Sequence, residues 1–185
     1  VGRSDVIVFQ AFHAGANRSS YQLFSSVSTD SGSSWSSPSM ISTFQEPGQP
    51  GVGFEQFHNQ RPRLRRVAGS VSLVWERART GIEKYRIYHA TVDGRGALSS
   101  EPEVVSSADG YCYDPDVVEV DGKPTVLWFD NRSGANRVYM ARKEGLFWTE
   151  IDLSRSVRDA VFARPVIANG VLEIFWQQST ARGEQ

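Results

Sequence analysis

Apolar residues in this chain alternate with polar ones over short stretches, and each stretch runs into a glycine-containing turn. Asp116-Val117-Val118-Glu119-Val120 leads to Asp121-Gly122 and resumes as Thr125-Val126-Leu127-Trp128-Phe129. A period of two interrupted by Asp-Gly predicts strand, tight turn, strand, because the two turn residues must take positive φ. Asn169-Gly170 before Val171-Leu172-Glu173-Ile174-Phe175-Trp176 repeats the pattern, and Ala68-Gly69-Ser70 before Val71-Ser72-Leu73-Val74-Trp75 is a weaker copy. The two strands of each hairpin are called A and B.

The hairpins share a register. Gly69, Gly122 and Gly170 stand six residues before Trp75, Trp128 and Trp176, Gly81 and Gly134 stand six after the first two, and Phe9 with Gly15 echoes the pairing. Each tryptophan is followed by a polar loop and a third strand, C: Tyr21-Gln22-Leu23-Phe24, Lys84-Tyr85-Arg86-Ile87-Tyr88 and Arg137-Val138-Tyr139-Met140. The loops Gly15-Ala16-Asn17-Arg18 and Gly134-Ala135-Asn136-Arg137 are identical. A short strand D is expected near Ser39-Met40-Ile41, Glu103-Val104-Val105 and Thr149-Glu150-Ile151.

Four short antiparallel strands recurring in this way predict an all-β fold of β-propeller blades. Period-two alternation excludes helical repeats. A pair of β-sandwiches is the competing fold, but it gives no reason for glycines at matched offsets. The expected organisation is one incomplete propeller segment over 1–185, with about three to four blades. These are approximately 1–43 (lacking its first strand), 60–106, 113–154 and 163–185 (first two strands only). Both ends fall inside blades, so remaining blades of a longer chain or another protein are the expected partners there.

Composition narrows the partners. The net charge of −1 over 185 residues gives no basic field for nucleic acid, and no apolar run is long enough to span a membrane. Cys112 is the only cysteine, which excludes an internal disulfide and a cysteine-built zinc site. His13, His58 and His89 fall on unrelated elements, so neither a metal nor another cofactor is expected. Asn17-Arg18-Ser19 and Asn131-Arg132-Ser133 are glycosylation sequons in form.

Ser28-Thr29-Asp30-Ser31-Gly32-Ser33-Ser34-Trp35 matches Ser-x-Asp-x-Gly-x-x-Trp, the Asp-box, at the C–D turn of the first repeat. Trp128-Phe129-Asp130-Asn131-Arg132-Ser133-Gly134 looks like the Trp-x-Asp-x-Arg-x-Gly segment of related bacterial proteins. On these residues the chain resembles the sialidase-like, BNR-repeat β-propellers. Ser28, Asp30, Gly32 and Trp35 are then structural: side chains bond turn N–H groups, the glycine takes positive φ, and the indole folds back as a plug. The resemblance implies an extracytoplasmic location and a carbohydrate or carboxylate-bearing ligand.

Strand direction places the D–A and B–C connections on one face, with the tight turns and the Asp-box on the other. The first face carries Glu46, Glu55 and His58, then Asp109, Tyr111 and Tyr113, then Arg77, Arg79, Asp130 and Arg132. Arg61-Pro62, Asp114-Pro115 and Arg164-Pro165 are each expected to open an A strand and converge on the central axis. Guanidinium groups suit a carboxylate or phosphate, which makes Arg61, Arg164, Arg77 and Arg132 candidate ligand-binding residues. The resemblance implies an aspartate acid/base, for which Asp114 is the candidate.

The competing structural reading pairs Arg61 or Arg164 with Asp114 across blades and uses Asp130 and Arg132 to lock their own loop. Glu76 could face the channel or solvate a strand end. Sialidases carry Phe-Arg-Ile-Pro near the start of the catalytic domain. Here only Phe162-Ala163-Arg164-Pro165 approaches it, in the wrong order, and no Tyr–Glu pair is assignable. The expected function is a non-catalytic recognition or scaffold module binding glycan or protein on the loop-rich face. An exo-sialidase or related glycoside hydrolase is the alternative, and a structural subunit pairing through its open strands is a third.

Overall fold

A computed structural model describes residues 4–16, 18–46, 49–82, 84–107, 111–157 and 159–179. Asn17, and with it the first sequon, and Asp109 lie outside these residues. Four antiparallel sheets follow one another along the chain. The first holds β1 (Asp5–Ala14), β2 (Ser19–Ser28) and β3 (Ser39–Met40). The second holds β4 (Phe57–Val67), β5 (Ser70–Arg79), β6 (Arg86–Val92) and β7 (Glu103–Val104). The third holds β8 (Tyr113–Val120), β9 (Lys123–Asp130), β10 (Arg137–Glu144) and β11 (Phe147–Asp152), and the last β12 (Ala160–Ala168) and β13 (Val171–Gln178).

Every sheet is a meander in chain order, so the sheets are blades with strands B-C-D, A-B-C-D, A-B-C-D and A-B. This is the all-β, incomplete-propeller architecture that the repeats predict. β1 and β13 are sheet edges, and they expose Ile7 and Phe12 on one and Val171 and Phe175 on the other.

The hairpins form for the local reason read in the sequence. Asp121 and Gly122 take φ of 52° and 70°, and Asn169 and Gly170 take 51° and 77°. Two positive φ values in succession match the right-handed twist of the flanking strands. Gly15, the echo in the first blade, has a different cause: a Cβ there would sit 2.5 Å from the Arg18 carbonyl oxygen.

The core lies between blades. Trp128 is fully buried in a cluster that joins Val67, Val74, Ile87 and Val105 of the second blade to Val117, Val126 and Tyr139 of the third. Trp75 does the same between the first and second, packing with Leu23, Ile41 and Tyr88. Each indole removes about 150–250 Å² from water, so the tryptophan register is the repeat of the blade-to-blade seal.

A second repeat is built on serines. The N–H groups of Leu23, Ile87 and Val138 donate to the hydroxyls of Ser42, Ser106 and Ser154, at 2.9, 3.0 and 2.9 Å. These buried serines lie two residues beyond strand D in each blade and satisfy a strand C donor that strand D leaves unpaired. The third blade therefore aligns at Leu153-Ser154, beyond the Ile151 expected from spacing.

The Ser28-to-Trp35 turn is held by its own side chains. Ser28 Oγ accepts from the Gly32 N–H at 2.8 Å, and Asp30 accepts from the Ser34 N–H at 2.8 Å and hydroxyl at 2.5 Å. Those bonds hold the Asp30 carboxyl down at about 2. Gly32 takes φ 87°, and the Trp35 ring lies against it. The indole stays 41% exposed, so it covers its own turn instead of plugging the core.

Candidate functional site

Three A strands break register at one point. The irregularities fall between Gln60 and Arg63, between Tyr113 and Asp116, and between Val161 and Arg164. At each break one residue has left-handed backbone: Arg61 at 50°, Asp114 at 54° and Phe162 at 56°. A bulge bends the strand and re-aims the side chain beside it.

This corrects the expected alignment in two ways. The dipeptides lie within strands and do not open them: Arg61-Pro62 and Asp114-Pro115 sit at bulges, and Arg164-Pro165 follows one. Arg164 is also not the counterpart of Arg61 and Asp114; Phe162 is. Arg164 pairs with Phe175, as Arg63 pairs with Val74 and Asp116 with Leu127, each just before its tryptophan. Counting back from the tryptophans carries this signal, which the shared proline obscured.

Convergence occurs nonetheless, through a residue whose role the sequence left open. Glu76, fully buried on β5, accepts from Arg61 Nη1 at 2.6 Å through one carboxyl oxygen and from the Asp114 N–H through the other. Asp114 in turn meets Arg164 Nη1 at 2.8 Å and Arg63 Nη2 at 3.6 Å. The Arg164 contact is an ion pair by distance, and Asp114 Oδ2 has no hydrogen-bond partner among the described residues. Arg61, Glu76, Asp114 and Arg164 thus form one chain of charges across three blades. Burial pushes the Glu76 carboxyl up to about 7 against the opposing pull of the Asp114 N–H and Arg61.

The other two candidate arginines are placed differently. Arg77 is a buried post: its guanidinium lies between the rings of Phe44 and Phe57, 4.3 and 4.1 Å from their centroids, and bonds Glu46 at 2.8 Å and Asn59 at 2.9 Å. It is not presented to a ligand. Arg132 grips Asp130 with two nitrogens, at 2.9 and 2.5 Å, bonds Glu150 at 2.7 Å, and stacks 4.2 Å from the Tyr139 ring centroid. That is the loop lock of the structural reading. Asp130 also accepts from the Trp128 indole at 3.0 Å.

Cys112 is buried beside Asp130, and burial pushes its thiol up to about 12, so it has no nucleophilic character. Among the described residues, no three His, Cys, Asp or Glu side chains are grouped to hold a metal ion.

Clefts elsewhere are less suited to chemistry. One of about 700 Å³ lies between β3 and the segment from Arg95 to Pro102, and another of about 640 Å³ lies beside Asp5, Leu64 and Arg66. Neither includes a member of the charge chain. The first is open, and its Ser99 and Ser100 hydroxyls already bond Thr91.

No protein-family model matches the sequence, and no curated protein matches it. Solved structures do. The chain superposes on a structure titled "Hadza microbial sialidase Hz136" with a TM-score of 0.66 at 14% identity, over 96% of this chain and 40% of the sialidase. The fold is that of a sialidase-like propeller. The endo-arabinase of Bacteroides thetaiotaomicron VPI-5482 follows with a TM-score of 0.52 at 18% identity, over 95% of this chain and 70% of its own. An alpha-L-arabinofuranosidase from Lactobacillus brevis gives 0.54 at 10% identity, over 96% and 67%. At such identities the likeness is of backbone, and propellers carry unrelated functions on one backbone. The chain spans 40% of the length of the sialidase.

Proposed function

We propose that this chain is part of a propeller that recognises an acidic sugar without cleaving it, at the mouth formed by the A-strand bulges. One observation carries the reading: Arg61 and Arg164, from different blades, are anchored on Glu76 and Asp114, yet their side chains stay 49% and 41% exposed. A guanidinium oriented by one carboxylate keeps donors on its outer edge, and those suit a sugar carboxylate. Asp114 is engaged by two arginines, which argues for anchoring over proton transfer. The likeness to a sialidase makes sialic acid the first ligand to test.

Calorimetric titration with N-acetylneuraminic acid should show binding that Arg164→Ala weakens by about tenfold or more, the worth of a charge-assisted hydrogen bond. Absence of binding would sink the reading. A glycoside hydrolase is the second reading, favoured by Glu76, whose carboxyl is pushed up to about 7 and accepts directly from the Asp114 N–H. Release of fluorophore from a sialoside, lost in Asp114→Asn, would put hydrolysis in place of recognition.

A further inference from the structure

Taking the ligand from the acidic-sugar reading, we infer that it enters this mouth together with a proton, which Glu76 takes from solvent as Arg61 turns from it to the ligand carboxylate. Both Glu76 oxygens are engaged: Oε2 accepts from Arg61 Nη1 at 2.6 Å, and Oε1 accepts from the Asp114 N–H. A guanidinium and a backbone amide can only donate, so a carboxylate suits both. In the neutral acid, the oxygen that carries the proton loses its negative charge, and its O–H meets an N–H that cannot accept it. The two donors differ in freedom. The Asp114 amide is fixed in a buried bulge of β8 with φ 54°. Arg61 is tied through its backbone N–H to Gln10 Oε1 at 2.5 Å, but its side chain is 49% exposed. The proton therefore belongs on Oε2, and Arg61 is the group that yields.

Charge couples this exchange to the ligand. Glu76 is fully buried, burial opposes its negative charge, and Arg61 is the cation that directly offsets it. A ligand carboxylate that draws Arg61 outward removes the offset, so Glu76 binds a proton. Arg61 keeps its own protons throughout. The one bond formed is O–H at Oε2, and the charge brought by the ligand is balanced by that of the proton. The Asp114 carboxyl, held by Arg63 and Arg164, also faces Glu76 and favours the proton as a like charge. The cross-strand neighbours Gln60 and Ile87 carry no charge, Gln60 donates to the Tyr85 hydroxyl, and the Tyr113 ring lies under Arg61 at 6.0 Å.

The test titrates N-acetylneuraminic acid into the 185-residue chain at pH 6 and pH 8, and at pH 7 in two buffers of different ionisation enthalpy. The sugar carboxylate stays ionised across this range. With the Glu76 carboxyl at about 7 in the free chain, affinity should be about fivefold higher at pH 6 than at pH 8. The buffer comparison should show about 0.4 proton taken up per ligand at pH 7. Glu76→Gln puts an amide N–H where the acid carries its proton, and it never charges. That variant should bind about fivefold more tightly than the native chain at pH 8 and lose the pH dependence, whereas loss of a merely structural contact weakens binding. The buffer comparison needs only the native chain and so holds even where the variant does not fold.

Equal affinity at the two pH values with no proton uptake would overturn the coupling and leave the acidic-sugar reading standing. A pH slope retained in Glu76→Gln would assign the proton to another group and overturn the role of Glu76. Failure of the sugar to bind at either pH would overturn both readings.

Discussion

Arg77→Ala is expected to destabilise the chain by about 3–5 kcal/mol, read as a lower urea midpoint. The cause is what the missing guanidinium leaves behind. Glu46 lies nearly buried against Arg77 and the Tyr88 hydroxyl, and Asn59 Oδ1 accepts from both Arg77 and the Trp75 indole. Without the cation, the Glu46 carboxylate keeps its contact with the Tyr88 hydroxyl but loses the charge that offsets its desolvation. Burial already pulls the Arg77 guanidinium down from its ordinary value, with the Glu46 carboxylate opposing. Arg77→Met combined with Glu46→Gln removes both charges and keeps the volume, and it should recover most of the loss. A cost below about 1 kcal/mol for Arg77→Ala would show that the stacked rings, and not the charge, hold this corner.

Stability should fall by up to about 3 kcal/mol as pH rises from about 4.5 to about 7, and Glu76→Gln should remove that slope. Glu76 has a folded-state value near 7, above its unfolded value of 4.5, because burial disfavours the carboxylate. In this window the folded chain holds a proton that the unfolded chain has released. The stabilising proton is thus fully in place below the unfolded value and is lost as pH rises through the folded one. Urea midpoints at pH 5 and pH 7 measure it, and the difference between native and Glu76→Gln chains isolates Glu76 from the three histidines. Equal slopes in the two chains would show that Arg61 and the Asp114 N–H, which favour the charged form, offset burial at Glu76.

Several features were legible in the sequence because their causes are local. Asp121-Gly122 and Asn169-Gly170 had to turn because few residues other than glycine and Asn or Asp tolerate positive φ. The tryptophan spacing placed the core because Trp75 and Trp128 occupy the same point of successive blades. Ser28 and Asp30 bond a turn only a few residues away.

Long-range pairing was legible only in part: Arg164 with Asp114 across blades was one of the alternatives, and the two meet at 2.8 Å. Arg77 and Arg132 read as surface cations in polar loops, yet one is buried by Phe44, from before its own hairpin, and by Phe57 of the paired strand, and the other is held by Glu150. Arg164-Pro165 looked like Arg61-Pro62 because a dipeptide carries no register; its spacing to Trp176, two residues shorter than that of Arg61 to Trp75, held the signal, and strand pairing makes it plain. Glu76 had two equal readings until Asp114, from the next blade, presented its N–H.

The sequence by itself determined the repeat, the turns and the blade type, since backbone conformation and alternation are settled within a few residues. Only the tertiary structure decided which charges meet and which are buried. A charge on Glu76 or Arg77 depends on atoms brought from other blades, and their distances are set by how the blades pack.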